Sequence, residues 1–229
     1  MRSEPKAPVV QMGAGGANVF LLRGEGGNVL VDAGNPGQAE RILGQMARLG
    51  VAPGDVRLIL ITHGHVDHFG SAAALRREIG APVAIHALDA PALRQGIHHP
   101  DSLRPTSRLV ALLQQLPLQA TAGRAEGLEP DLTFEGEWRL DEYGVAARVL
   151  PTPGHTPGST TVLLDSGEAV VGDMLTGFLR RPGPPIVAWD LERNRESLRH
   201  LLALSPHILY VGHGGPLSPS ALQRLAMGA

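Results

Sequence analysis

The chain has 229 residues and 24.1 kDa, enough for one full-sized domain and short for two. With 43% hydrophobic and 18% charged residues it can bury a core, and its net charge of −2 argues against nucleic-acid binding through bulk positive charge. The lack of cysteine excludes disulfides, thiolate metal ligands and a cysteine nucleophile. The start MRSEPKAPVV has no apolar signal region and no later run is long enough to span a bilayer, so a soluble, cytoplasmic protein without a membrane partner is expected.

Residues 17–22 and 28–32 read as strands joined through 24–27 into a hairpin. Ile42, Met46 and Leu49 then share one face of a helix over 38–49. The unbroken apolar run 58–61 has the pattern of a strand buried on both faces. An alanine-rich helix over 71–79 and a short strand over 82–85 follow. An insertion spans about 87–130, with Leu109, Leu112, Leu113 and Leu116 at helical spacing. Strands over 145–150, 160–164 and 169–171, a helix bearing Leu198, Leu201 and Leu202, and a strand over 208–211 repeat the plan. Two halves of like order predict two sheets packed together with helices outside, in a single domain over 1–229.

The chemistry concentrates directly after the run 58–61, in Thr62-His63-Gly64-His65-Val66-Asp67-His68. One histidine in a loop is more often a hydrogen-bonding residue than a ligand. Three histidines and an aspartate this close, on the rigid end of a buried strand, point to metal instead. Imidazoles and carboxylates suit zinc, iron or manganese. His155 in PTPGHTPGS, Asp173 in VVGD and His213 in YVGHGG each sit at a strand end among small neighbours that allow close approach. Together these are seven ligands, too many for one tetrahedral ion and suited to two ions sharing a carboxylate. The other five histidines, His86, His98, His99, His200 and His207, lack that context and read as surface or packing residues.

With His63-x-His65-x-Asp67-His68, His155, Asp173 and His213 in this order, the chain resembles the metallo-β-lactamase superfamily of hydrolases over nearly its whole length. The resemblance implies an α/β fold, an αββα sandwich of two mixed sheets packed face to face with helices on both outer sides. It implies two divalent metal ions, zinc first by ligand type, with iron or manganese next. His63, His65 and His155 would hold one ion; Asp67, His68 and His213 would hold the other; Asp173 would bridge. Asp32, in Val31-Asp32-Ala33-Gly34, would support the site without ligating metal. A hydroxide bridging the ions would cleave an ester, thioester or lactone bond, with Asp67 orienting it or returning a proton to the leaving group.

Within the superfamily, glyoxalase II-like thioesterases and acyl-homoserine-lactone-type lactonases keep all seven ligands. With sixteen residues after His213, the helical domain with which larger glyoxalase II enzymes grip glutathione is expected to be missing, as it is from compact relatives. The motifs do not choose among ester, thioester and lactone. Two other readings stand beside hydrolysis: a mononuclear iron persulfide dioxygenase-like enzyme, and a non-catalytic metal-binding sensor of the same fold.

The partner expected is a small-molecule substrate, with no nucleic acid. Arg180 and Arg181, seven and eight residues after Asp173, are candidates to hold an anionic substrate group, against the alternative of two solvated arginines. The insertion is expected to act as a lid that selects the substrate. Its leucine stripe must bury against the body, a second copy of the chain in a homodimer, or the substrate. Shortening it is expected to leave metal content intact.

Overall fold

In the computed structural model, which describes residues 7–114 and 123–218, the first six strands form one mixed sheet. They are β1 (Val9–Ala14), β2 (Ala17–Arg23), β3 (Asn28–Val31), β4 (Val56–Ile61), β5 (Val83–His86) and β6 (Leu132–Phe134), adjacent in that order. β1 to β3 are antiparallel and β3 to β6 parallel. The expected hairpin is β2 and β3, with Phe20 opposite Val31. β1 lies outside the strands that the sequence predicts, because glycines at 13, 15 and 16 dilute its apolar pattern.

The second sheet holds β7 (Trp138–Arg139), β8 (Ala147–Pro151), β9 (Thr160–Leu164), β10 (Glu168–Val170) and β11 (Ile208–Tyr210), in the order β11-β10-β9-β8-β7. Only β10 and β11 pair in parallel. The helices are α1 (Ala39–Arg48), the single turn α2 (Val66–Phe69), α3 (Ala72–Ile79), α4 (Ala90–Gln95), α5 (Arg108–Gln114) and α6 (Leu191–Ala203).

Strand alternation divides the core into layers. Along β4, Leu58 and Leu60 face the second sheet and pack with Val149, Val162 and Leu164. Ile59 and Ile61 face the other way, toward Ile42 and Met46 of α1 and Leu75 and Ile79 of α3. Both faces of β4 are therefore dry, as its unbroken apolar run predicts, and each fully buried side chain contributes roughly 1.5–3 kcal/mol. On the far side, Leu198 and Leu201 of α6 cover Leu163, Ala169 and Leu209. The α6 N-terminus is capped by Asp190, whose carboxylate accepts from the Arg193 amide at 3.0 Å. The architecture is the expected αββα sandwich.

The insertion is part body and part cover. Leu93 of α4 belongs to the outer core, with Leu128 packed against that cluster. Of the leucine stripe, Leu112 is 61% exposed. The side chains of Leu109 and Leu113, and the whole of Leu116, lie outside the described residues.

Candidate metal centre

Parallel and mixed strands collect their carboxyl ends along one edge, and the ligands sit there. Asp32 follows β3 in a left-handed conformation, φ 65°, completely buried. Its Oδ1 accepts from the Thr62 amide at 2.8 Å, and its Oδ2 accepts from the Thr62 hydroxyl at 2.9 Å and from His68 Nδ1 at 2.8 Å. One carboxylate thus fixes the start of the ligand loop and its last histidine together. With Nδ1 committed to Asp32, His68 presents Nε2 to the site.

The tautomers of the other ligands follow by the same accounting. The Thr62 hydroxyl donates to Asp32, so it accepts from His63 Nδ1 at 3.0 Å and leaves His63 Nε2 as a lone pair. Ser102 donates to the His99 carbonyl at 2.7 Å, so it accepts from His65 Nε2 at 2.6 Å and leaves Nδ1 as a lone pair. His155 Nδ1 donates to the Val187 carbonyl at 2.9 Å, which leaves Nε2 bare. His65 Nδ1 and His155 Nε2 then face each other at 3.0 Å as two lone pairs. That contact repels unless a cation lies between them.

A second group lies beside the first. His213 donates Nδ1 to the Gly16 carbonyl at 3.0 Å and points Nε2 at Asp67 Oδ2, 3.1 Å away, and at Asp173 Oδ2, 3.3 Å away. Asp173 Oδ1 lies 3.3 Å from His68 Nε2, while its Oδ2 also lies 3.7 Å from His155 Nε2. Asp173 therefore touches both clusters. The trios His63–His65–His155, His63–His68–Asp173 and Asp67–His68–His213 each bring their donor atoms within 4.8 Å of one another. All seven predicted ligands converge.

Three of their atoms, His63 Nε2, His68 Nε2 and Asp173 Oδ1, are buried without a hydrogen-bond partner. Orphaned polar atoms are costly, and here they aim at one space, which is the arrangement a pair of divalent ions satisfies. In the metal-free protein, burial lowers the pKa of His63, His65 and His155, so these imidazoles stay neutral and ready to ligate. Burial opposes charge on His68, but Asp173, Asp32 and Asp67 outweigh it and raise its pKa. Asp173 chiefly pushes His213 up to about 10. Asp67 and Asp173 are held below the usual carboxylate range, where His68 and His213 outweigh the opposing effect of burial. Glycines make the approach close: a Cβ on Gly212 would stand 2.1 Å from Asp173 Oδ1 and 2.6 Å from His68 Cε1.

Three further residues escape the sequence reading. Asp89, fully buried just beyond β5, accepts from the Gly64 amide at 2.6 Å, the Thr156 hydroxyl at 2.5 Å and the Gly158 amide at 2.8 Å. It ties the loop bearing His63 and His65 to the loop bearing His155. Ser102 is the second. The third is His98, which corrects its assignment to the surface: its ring lies 5.2 Å from that of His65, and its donor atom groups with those of His65 and Asp67. His98 Nδ1 accepts from the Val66 amide at 3.3 Å. No local pattern marks these residues, because each acts across the fold.

Asp89, His98 and Ser102 all belong to the insertion, and the His99 amide donates to the Gly64 carbonyl at 2.8 Å. Shortening the insertion would remove these hydrogen bonds to the loops that carry His63, His65 and His155. Arg180 and Arg181 are not brought to the site. They are exposed in and after a tight turn in which Leu179 and Arg180 have φ of 52° and 58°, whereas Phe178 lines the cavity.

A cavity of about 670 Å³ opens over the ligands, within the size range of small-molecule sites. His65, Asp67, His155, Asp173 and His213 form its floor, and His98, Leu103 and Val110 of the insertion form part of its wall.

An αββα sandwich with seven histidine and aspartate side chains converging at one edge defines a candidate metal-binding site. The family model of the metallo-beta-lactamase superfamily matches residues 12–213, and the chain belongs to that superfamily. It is 30% identical over 211 residues to the probable metallo-hydrolase YflN of Bacillus subtilis, covering 83% of this chain and 76% of that one. It is 34% identical over 171 residues to a hydroxyacylglutathione hydrolase of Anaeromyxobacter dehalogenans, covering 72% of this chain and 50% of the relative. Among solved structures, TTHA1623 in a di-iron-bound form matches with a TM-score of 0.67 and 27% identity, over 94% of this chain and 96% of that one.

Proposed function

We propose that this protein, a metal-dependent hydrolase of the metallo-beta-lactamase superfamily, cleaves an ester, thioester or lactone bond of a small molecule at a dinuclear centre. The observation that carries the reading is the convergence of seven candidate ligands around Asp173, with His63 Nε2 buried without a hydrogen-bond partner and His68 Nε2 and Asp173 Oδ1 buried with only each other, 3.3 Å apart. His63, His65 and His155 would hold one ion, Asp67, His68 and His213 the other, and Asp173 both. Two divalent ions there, zinc by ligand type and iron or manganese by the same donors, supply Lewis acidity and make hydroxide available near neutral pH. The hydroxyacylglutathione hydrolase and metallo-hydrolase relatives support hydrolysis over the other chemistries.

The chain's own residues do the rest. Asp32 and Ser102 hold His68 and His65 in the tautomers that face the centre. Asp67, 27% exposed at the cavity floor, is placed to accept a proton and return it to the leaving group. The insertion walls the cavity and, in this reading, selects what enters. Among the described residues no helix is long and apolar enough to cross a membrane.

The test is a panel of activated esters, thioesters and lactones offered to protein of measured metal content. Hydrolysis that is lost on chelation and restored by metal supports the proposal. Full metal loading with no hydrolysis of any member would contradict it.

A further inference from the structure

The walls of the cavity carry information that its floor does not. Val66, Leu103, Val110, Phe178, Ile186 and Val187 form most of them, beside His98, and no lysine or arginine is among the described lining residues. The few neutral polar groups are largely spent within the protein: the Asn35 amide donates to the Gly15 carbonyl at 2.8 Å and the Thr176 hydroxyl to the Pro184 carbonyl at 3.2 Å. Asp67, Asp173 and the lining histidines His65, His155 and His213 belong to the candidate metal centre.

The rim is apolar as well. Phe178 is 55% exposed and Ile186 46%, and both line the cavity. Large apolar side chains left open at the mouth of a pocket gain free energy only when something apolar covers them. An anion placed against these walls would lose its water with nothing to pair it.

We infer that the part of the substrate remote from the scissile bond is an uncharged aliphatic acyl chain. An anionic carrier such as glutathione, with two carboxylates, finds no lysine or arginine to pair it among the described lining residues. This assignment rests on the hydrolase reading above and names its substrate class. It also separates the chain from what the name of its hydroxyacylglutathione hydrolase relative says of that protein.

Esters of one activated alcohol, running from acetyl to octanoyl, test it on the metal-loaded protein, with a suberoyl monoester as the octanoyl chain ending in a carboxylate. Burial of each methylene should raise kcat/KM about three- to fourfold until the cavity is full. Octanoyl should exceed suberoyl by at least about tenfold. A flat series, or suberoyl equal to octanoyl, would overturn the assignment while leaving hydrolysis intact. Ile186→Arg should shrink or reverse the octanoyl-to-suberoyl ratio, and an unchanged ratio would also count against it. Octanohydroxamate and its ω-carboxylate analogue decide the same question without turnover. Calorimetry should show octanohydroxamate binding about tenfold more tightly, and equal or weaker binding would overturn the assignment. If fully loaded protein cleaves no ester of the series, the same chains offered as thioesters and lactones decide the hydrolase reading, and the hydroxamate pair decides the nature of the cavity.

Discussion

Ser102 accepts a 2.6 Å hydrogen bond from His65 Nε2 although the two residues are 37 positions apart, and through it the insertion sets the tautomer of a metal ligand. Without that acceptor His65 is free to carry its proton on Nδ1, the atom that faces His155. Ser102→Ala should therefore weaken the first metal site about 10- to 100-fold. Competition with a chromophoric chelator measures it, and circular dichroism should stay unchanged. Wild-type affinity in the variant would remove Ser102 from the site.

Asp89 has a structural role as well as an orienting one. Asp89→Ala strands two buried amides, each costing about 1–3 kcal/mol, and leaves the Thr156 hydroxyl with Ser159 alone, so a loss of about 2 kcal/mol or more is expected in urea unfolding of the metal-free protein. A loss below about 1 kcal/mol would show that the two ligand loops hold their geometry without it.

The strands around the site were legible because burial on both faces leaves an apolar run, as in β4, and because ligands at strand ends stand beside small residues, as His213 does beside Gly212. The αββα order followed from the same runs. Asp89, His98 and Ser102 were not legible, since a carboxylate, an imidazole and a hydroxyl in polar loops look like surface until the fold brings them to His65 and Gly64. β7, two residues long, and β1, broken by Gly13, are too brief or too mixed for periodicity to reveal.

Gly212 leaves no room for a side chain between Asp173 and His68. Gly212→Ala should displace both ligands and lower bound metal from two ions per chain to about one, while leaving His63, His65 and His155 in place. Elemental analysis of the variant decides this. Two ions bound with unchanged affinity would show that the edge is softer than its packing indicates.

The two sites should respond differently to pH. His213, held up to about 10 by Asp173, is protonated in the metal-free protein at neutral pH, so an ion at Asp67, His68 and His213 must displace a proton. Affinity there should rise as pH increases toward about 10, by about tenfold per unit for each proton released. His63 and His65 are kept neutral by burial, so affinity at the first site should change little above neutrality. Calorimetric titrations in buffers of different ionisation enthalpy count the protons, and equal release from both sites would contradict this assignment.

Asp67→Asn should lower kcat by about 10²–10⁴ at saturating metal, more than lost occupancy of the second site accounts for, while the unfolding midpoint stays near wild type, if the carboxylate handles a proton. Loss of metal or fold with the residual rate proportional to bound metal would assign Asp67 to support of the loop instead.

The central claim is that two ions on seven ligands make one hydrolytic site. Its most direct measure is turnover followed against equivalents of metal added to metal-free protein, with bound metal determined by elemental analysis at each step. Hydrolysis should reach its plateau only as the second equivalent binds, and His213→Ala and His63→Ala should each hold no more than one ion. Full turnover at a single equivalent, or at most one ion bound per wild-type chain even with metal in excess, would contradict it.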